Sequence, residues 1–143
     1  MTSFKLNARL AGDCHVLGEM DCSLLLLMDN ALVPWFVLVP QVNAIEICDM
    51  EAPQQQMLLD EINAVSEFVR DHCEVDKLNV AAIGNVVEQL HVHVVGRRRS
   101  DYCWPDVVWG RPEKRAYEQS EVAAIAAALA KALPDGFTAA AVV

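Results

Sequence analysis

Apolar residues fall along this chain in short blocks, and the spacing within each block predicts an element. Leu6 and Leu10, four apart within Phe4 to Gly12, allow a short amphipathic helix. Val16 to Met20 reads as a strand. Ser23 to Met28 is a strand closed by Asp29-Asn30, a pair that favours turns. Trp35 to Val39 is another strand, bordered by Pro34 and Pro40. Proline cannot donate to a strand ladder, so it belongs at such borders. Two apolar runs joined by a turn that contains Pro34 predict a hairpin.

The pattern then lengthens. From Pro53 to about His72, Leu58, Ile62, Val65 and Val69 recur at helical spacing and form one apolar stripe. Pro53 suits a first helical position. Leu78 to Ile83 is a further strand, Gly84-Asn85 interrupts it, and His91 to Val95 resumes one. Arg97 to Arg115, with Trp104, Pro105, Trp109 and Gly110, reads as irregular. Ser120 can cap a last helix that carries Val122, Ile125, Ala126 and Leu129 on one side. Strands gather at the front and a long helix sits mid-chain, with little strand–helix alternation. That order predicts an α+β fold: an antiparallel sheet of about five strands with the long helix packed on it.

Composition narrows the class. The chain has 143 residues, 54% of them hydrophobic, with 6 Gly and 6 Pro, which fits one domain with one sizeable core. Disorder, collagen and low-complexity repeats are excluded. No apolar run approaches the roughly 18 residues of a membrane span. Leu24 to Met28 is too short, and Ala31 to Pro40 contains Pro34. The opening MTSFKLNARL has no apolar core of the kind an export signal needs. Acidic residues outnumber basic ones 20 to 11, for a net charge of −9, so neither nucleic acid nor an anionic membrane surface is an expected partner. A few local donors can still hold a small phosphate. The five cysteines are odd in number and none form Cys-x-x-Cys, which predicts reduced thiols in a cytoplasmic protein.

The candidate chemistry lies in Gly84 to Val95. Strand alternation would put Gln89, His91, His93 and Val95 on one face, with successive residues about 6.5 to 7 Å apart, and Leu90, Val92 and Val94 on the other. Such a His-x-His pair supports three readings. It can be two half-buried structural histidines. It can chelate a metal, which requires a third ligand, yet Glu88 falls on the opposite face and His15 and His72 belong to distant elements. Or one imidazole can act as a nucleophile towards phosphorus near neutral pH. Several other residues are open in the same way. Asp29 can be a turn residue or an acceptor, and Asn79 a strand end or a donor. Arg97 and Arg99 can solvate the strand end or attract polyphosphate. Trp104 and Trp109 can pack, stack on a base or cover a dimer seam.

Gln89-Leu90-His91-Val92-His93-Val94-Val95 resembles the histidine-triad motif, His-φ-His-φ-His-φ-φ with φ apolar. Asp29 with Pro34 and the strand Trp35 to Pro40 looks like that family's nucleoside-binding hairpin. Leu78-Asn79 followed by Gly84-Asn85 looks like its phosphate-loop approach. The likeness covers about residues 15 to 100. It leaves 101 to 143 as a C-terminal extension and helix of one domain, residues 1 to 143. With Trp104-Pro105 and Trp109-Gly110 following, the chain looks most like the bacterial histidine-triad hydrolases described as diadenosine-tetraphosphate-hydrolase-like.

The resemblance implies a nucleotide hydrolase or transferase acting at an α-phosphate. The substrate would be a dinucleoside polyphosphate or a nucleoside phosphoramidate. His91 would be the nucleophile, forming a nucleotidyl-histidine, and His93 would hydrogen-bond the phosphate or leaving oxygen. Asn85 and Asn79 would donate amide N–H groups, and Asp29 would accept from ribose hydroxyls. No cofactor and no metal is called for, and a homodimer is implied. Gln89 departs from the motif's first histidine; it can orient but cannot relay a proton. Val86 stands where many relatives carry a hydroxyl. Those two departures keep open an alternative, a nucleotide-binding module with reduced or lost turnover.

Overall fold

The computed structural model describes residues 4–141. The first three residues of the stretch read for an export signal lie outside it. Its centre is an antiparallel six-stranded sheet in the order β4-β5-β3-β2-β1-β6. The strands are β1 (Cys14–Glu19), β2 (Ser23–Met28), β3 (Trp35–Pro40), β4 (Lys77–Ala81), β5 (Val92–Arg97) and β6 (Thr138–Ala139). Three helices join them: α1 (Ala8–Asp13), α2 (Ala52–His72) and α3 (Gln119–Ala132). The α+β class and antiparallel sheet match the expectation, with β6 as a sixth strand. Two residues leave too little periodicity for sequence to reveal it. Gly18 makes its docking possible: a Cβ there would lie 2.2 Å from the Thr138 carbonyl oxygen. Among the described residues no helix is long and apolar enough to cross a membrane.

The hairpin β2–β3 forms with Leu27 opposite Phe36 and Leu25 opposite Leu38. Apart from Ser23, both strands are apolar because the sheet is covered on both faces. On one face Leu17, Leu25, Leu27, Phe36, Leu38 and Val94 pack against α2 and α3. On the other, Leu26, Val37, Val39 and Val95 are covered by Leu10 of α1, Val87, and Cys103 and Val108 of the irregular segment. Each fully buried side chain of this size stabilises the fold by about 1.5–3 kcal/mol. A third cluster joins Leu58 of α2 to Leu90 and Val92.

Several boundaries move from where the pattern put them. α2 starts one residue ahead of Pro53, with Glu51 flanking it and Pro53 in its first turn. The stripe of α2 includes Phe68 and the buried Glu61 beside the predicted Leu58, Val65 and Val69. Ser120 lies inside α3; the cap is Glu118, in a reciprocal capping box with Glu121. β4 ends at Ala81, before the turn in which Gly84 takes a φ of +68°. That conformation is open to glycine at little cost. β5 begins at Val92, so the motif residues 89 to 91 approach the strand from a loop.

Gly96 in β5 marks the tightest contact of strand, loop and helix. A Cβ there would lie 2.6 Å from Val75 Cγ1 and 2.8 Å from both Pro34 Cγ and Val69 Cγ1. Gly96→Ala is therefore expected to destabilise the protein by about 1–3 kcal/mol, the usual scale of overpacking. The shift in urea midpoint at unchanged m-value measures it.

Candidate active site

The register of β5 decides what the two motif histidines face. His93 pairs with Val37 and Val95 with Trp35. Directly paired residues share a face, so His93 lies on the side covered by α1 and the irregular segment, away from α2 and α3. His91 and His93 are both buried, at 6% and 5% exposure. Their rings meet edge to face at 4.9 Å between centroids.

Hydrogen bonds assign the two imidazoles opposite forms. Nδ1 of His91 lies 2.7 Å from the carbonyl oxygen of Gln89. A carbonyl only accepts, so Nδ1 carries the proton and Nε2 keeps a free lone pair. Nδ1 of His93 lies 3.0 Å from the indole Nε1 of Trp35. An indole N–H only donates, so Nδ1 is the acceptor and Nε2 of His93 bears the proton. Burial, reinforced by the charge of His91, pushes the His93 pKa down to about 4. The ring is also flanked edge-on by Trp35 and Trp109, at 5.9 and 5.4 Å. The site thus holds one imidazole presenting a lone pair and a second, uncharged one presenting an N–H.

His91 lines a cavity of about 330 Å³, with Gly84, Asn85 and Leu90 on the motif side and Ile45 and Ile47 opposite. Glu46, Cys48 and Glu88 complete its polar lining, and among the described residues no lysine or arginine lines it. Asn85 is the amide that the structure brings to His91, and the turn at Gly84 delivers it there. Among the described residues no three His, Cys, Asp or Glu side chains are grouped to hold a metal ion.

The other expected site residues are placed differently. Gln89 is not on the strand, and its side chain turns to the N-terminal segment: Oε1 accepts from the Asn7 backbone N–H at 2.8 Å and Nε2 donates to the Lys5 carbonyl at 2.9 Å. Its contact with His91 is through its own main-chain oxygen. Asn79 shares the histidine face through its pairing with Val95, but it lines a shallow groove with Trp104 and Trp109, not the cavity. Its Oδ1 accepts from Arg97 at 3.0 Å. Arg97 is itself only 1% exposed. It is clasped by Asp101, donates to the Asp106 carbonyl and lies over the Trp104 ring. The polyphosphate reading of Arg97 is therefore corrected: the guanidinium is sealed inside the fold and committed to Asp101, Asn79 and the Asp106 carbonyl.

Asp29 is not brought to the histidines. It follows Leu25 and Leu27, which face α2 and α3, and sits at the opposite end of the sheet from His91. Its Oδ1 accepts from the Tyr117 backbone N–H and lies 2.9 Å from His15 Nε2. Burial tends to raise its pKa, but the Tyr117 N–H and His15 outweigh that and hold the carboxyl below its usual range. Trp35 is the residue that sequence reading missed. Its apolar run marked it as strand, and only the β3–β5 register sets its N–H against His93. The sequence does carry one signal, a tryptophan among buried neighbours, whose N–H must find an acceptor.

Comparison with known proteins gives the family and the fold. A family model described as HIT domain matches residues 9–100. The chain belongs to the HIT family. A histidine triad protein from Marinobacter aquaeolei VT8 is 41% identical over 93% of this chain and 98% of its own, with a TM-score of 0.88. One from Bradyrhizobium japonicum is 39% identical over 91% and 98%, with a TM-score of 0.87. A third, from Sinorhizobium meliloti 1021, is 35% identical over 93% and 99%, with a TM-score of 0.88. No curated protein matches the chain. The HIT-domain match spans every motif residue from Asp29 to His93 and stops before the segment that supplies Trp109.

His93 should stay neutral from pH 8 down to about pH 4, visible as an unchanged Nε2–H tautomer in imidazole 15N spectra. Its ordinary pKa is 6.5, so between about pH 4 and 6.5 the unfolded chain binds the extra proton. Stability should therefore rise with pH across that window, and denaturant midpoints measured at each pH will show the slope. Asp29→Ala, in turn, should lower the urea midpoint by freeing the Tyr117 segment and His15. It should leave nucleotide affinity within about twofold in calorimetric titration, far below the roughly 1.5–3 kcal/mol of a lost charged hydrogen bond.

Proposed function

We propose that this HIT protein is a nucleotide hydrolase or transferase that works at an α-phosphate through a nucleotidyl-histidine on His91. The observation that carries the reading is the Nδ1–H bond from His91 to the Gln89 carbonyl. It leaves Nε2 as the basic nitrogen of a histidine that lines a cavity large enough for a phosphoryl group and its substituents. In the first step Nε2 forms a bond to phosphorus while the bond to the leaving group breaks and its electron pair departs with that group. In the second, a water oxygen attacks phosphorus, the P–N bond breaks, and the pair returns to Nε2 as the water proton passes to solvent. One hard displacement becomes two easier ones. Asn85 donates to the non-bridging oxygens, the role of a preorganised donor where charge develops. His93 supports them through Nε2–H, and Asn79 contributes by fixing Arg97.

The substrates under this reading are dinucleoside polyphosphates or nucleoside phosphoramidates, as for the diadenosine-tetraphosphate-hydrolase-like branch. The chain would act in the cytoplasm, where its five unpaired cysteines suit a reducing environment. It would act as a homodimer; β4 is a sheet edge, with Val80 exposed on it. His91→Ala should leave the urea midpoint near that of the native chain and lower kcat by about 10⁴ or more, the scale of a lost nucleophile. Mass spectrometry after rapid acid-free quenching should show a nucleotidyl increment on the native chain and none on the variant. Turnover of His91→Ala within about tenfold of native would remove the assignment.

A further inference from the structure

We infer that Trp35 is a positioning residue that fixes His93 as a neutral donor, so that the site takes substrates whose leaving group departs as an anion, without a proton. The inference rests on the hydrolase reading above and narrows its substrate class. A phosphate or carboxylate oxygen qualifies as such a leaving group. An amine does not.

The nitrogens of the two touching imidazoles differ in what each can do. His91 Nε2 is the nucleophile and has no proton to give. Its Nδ1–H is held by the Gln89 carbonyl, 2.7 Å away. His93 Nδ1 is held by the Trp35 N–H at 3.0 Å, so a second proton cannot enter at that nitrogen without breaking the bond. With Nδ1 blocked, His93 cannot become the imidazolium that general acid catalysis uses. Its Nε2–H can hydrogen-bond a leaving oxygen, which stabilises charge but transfers nothing. Trp109 closes the same ring from the irregular segment, at 5.4 Å between centroids.

The first motif position offers no replacement. Gln89 has no titrating group, and its amide is committed to Asn7 and Lys5. Glu46, Cys48 and Glu88 also line the cavity, but they are solvent-exposed, and none hydrogen-bonds either histidine. When the P–O bond breaks, the electron pair therefore stays on the departing oxygen as negative charge. For a phosphoramidate the departing group would be an amide anion, far too basic to leave without the missing proton.

The test measures kcat/KM of the native chain at pH 7.5 for nucleoside 5′-monophosphate aryl esters of graded phenol acidity, and for the matching 5′-phosphoramidate. The expected result is a fall of about 10² or more from the most to the least acidic phenol, with the phosphoramidate slower than every ester. Trp35→Phe keeps a ring and removes the N–H. It should shift the His93 tautomer in 15N spectra and narrow the ester–phosphoramidate gap by about tenfold or more. A purely structural Trp35 would alter neither. A phosphoramidate turned over as fast as the most acidic ester would overturn the inference while leaving the His91 nucleophile intact. Absence of a nucleotidyl adduct with every substrate would overturn both. Because the native leaving-group series needs no variant, a Trp35→Phe chain that failed to fold would leave that series to decide.

Discussion

The register between β3 and β5 is the constraint on which the rest depends. Opposing Val37 to His93 and Trp35 to Val95 fixes which side of the sheet the histidines face. A slip of one residue would turn both imidazoles into the apolar layer beneath α2 and α3 and leave the Trp35 N–H without its acceptor. Polar groups buried without partners cost about 1–3 kcal/mol each, so the hydrophobic layers and the Trp35–His93 bond select the same pairing. Gly96, next along β5, tightens that choice because only a residue without a Cβ fits between Pro34, Val69 and Val75.

The histidine face would be half open without the segment after β5. That segment has no regular structure, so side chains must hold it. Arg97 does so from inside: its guanidinium bridges Asp101, the Asp106 carbonyl and Asn79. Burial raises the pKa of Asp101, but Arg97 and the Cys103 and Arg98 N–H groups outweigh it and keep the carboxyl ionised. A buried ion pair adds little net stability over an apolar substitute, but breaking one partner is severe. Its value here is geometric. It seats Cys103 and Val108 on the sheet and brings Trp109 against His93. Asp29 repeats the device on the far face, tying the turn that follows β2 to Tyr117 ahead of α3.

These two clasps explain why Arg97 and Asp29 are not ligand groups. The site works with uncharged partners: two imidazoles of opposite tautomer, an indole and a carboxamide. Hydrogen-bond direction sets which nitrogen of each imidazole bears the proton.

Much of this was legible in the sequence. Binary pattern and turn residues specified β2, β3, α2 and the antiparallel α+β class, because burial on both faces writes an unbroken apolar run and burial of one helix face writes a stripe. The Gln-Leu-His-Val-His order located the two histidines and the family resemblance. What sequence could not specify were contacts between residues far apart in the chain. Strand parity placed Gln89 beside His91, yet the strand starts three residues later and Gln89 clasps Lys5 and Asn7. Arg97, Asp29 and Asn79 look like ligand groups in one dimension, and each finds its own buried partner in three. Trp35, 58 residues before His93, shows in sequence only a buried N–H that needs an acceptor, not which acceptor it finds. Alternation tells which residues share a side of one strand. The partner that fixes a proton on an imidazole is decided only when two strands choose their register.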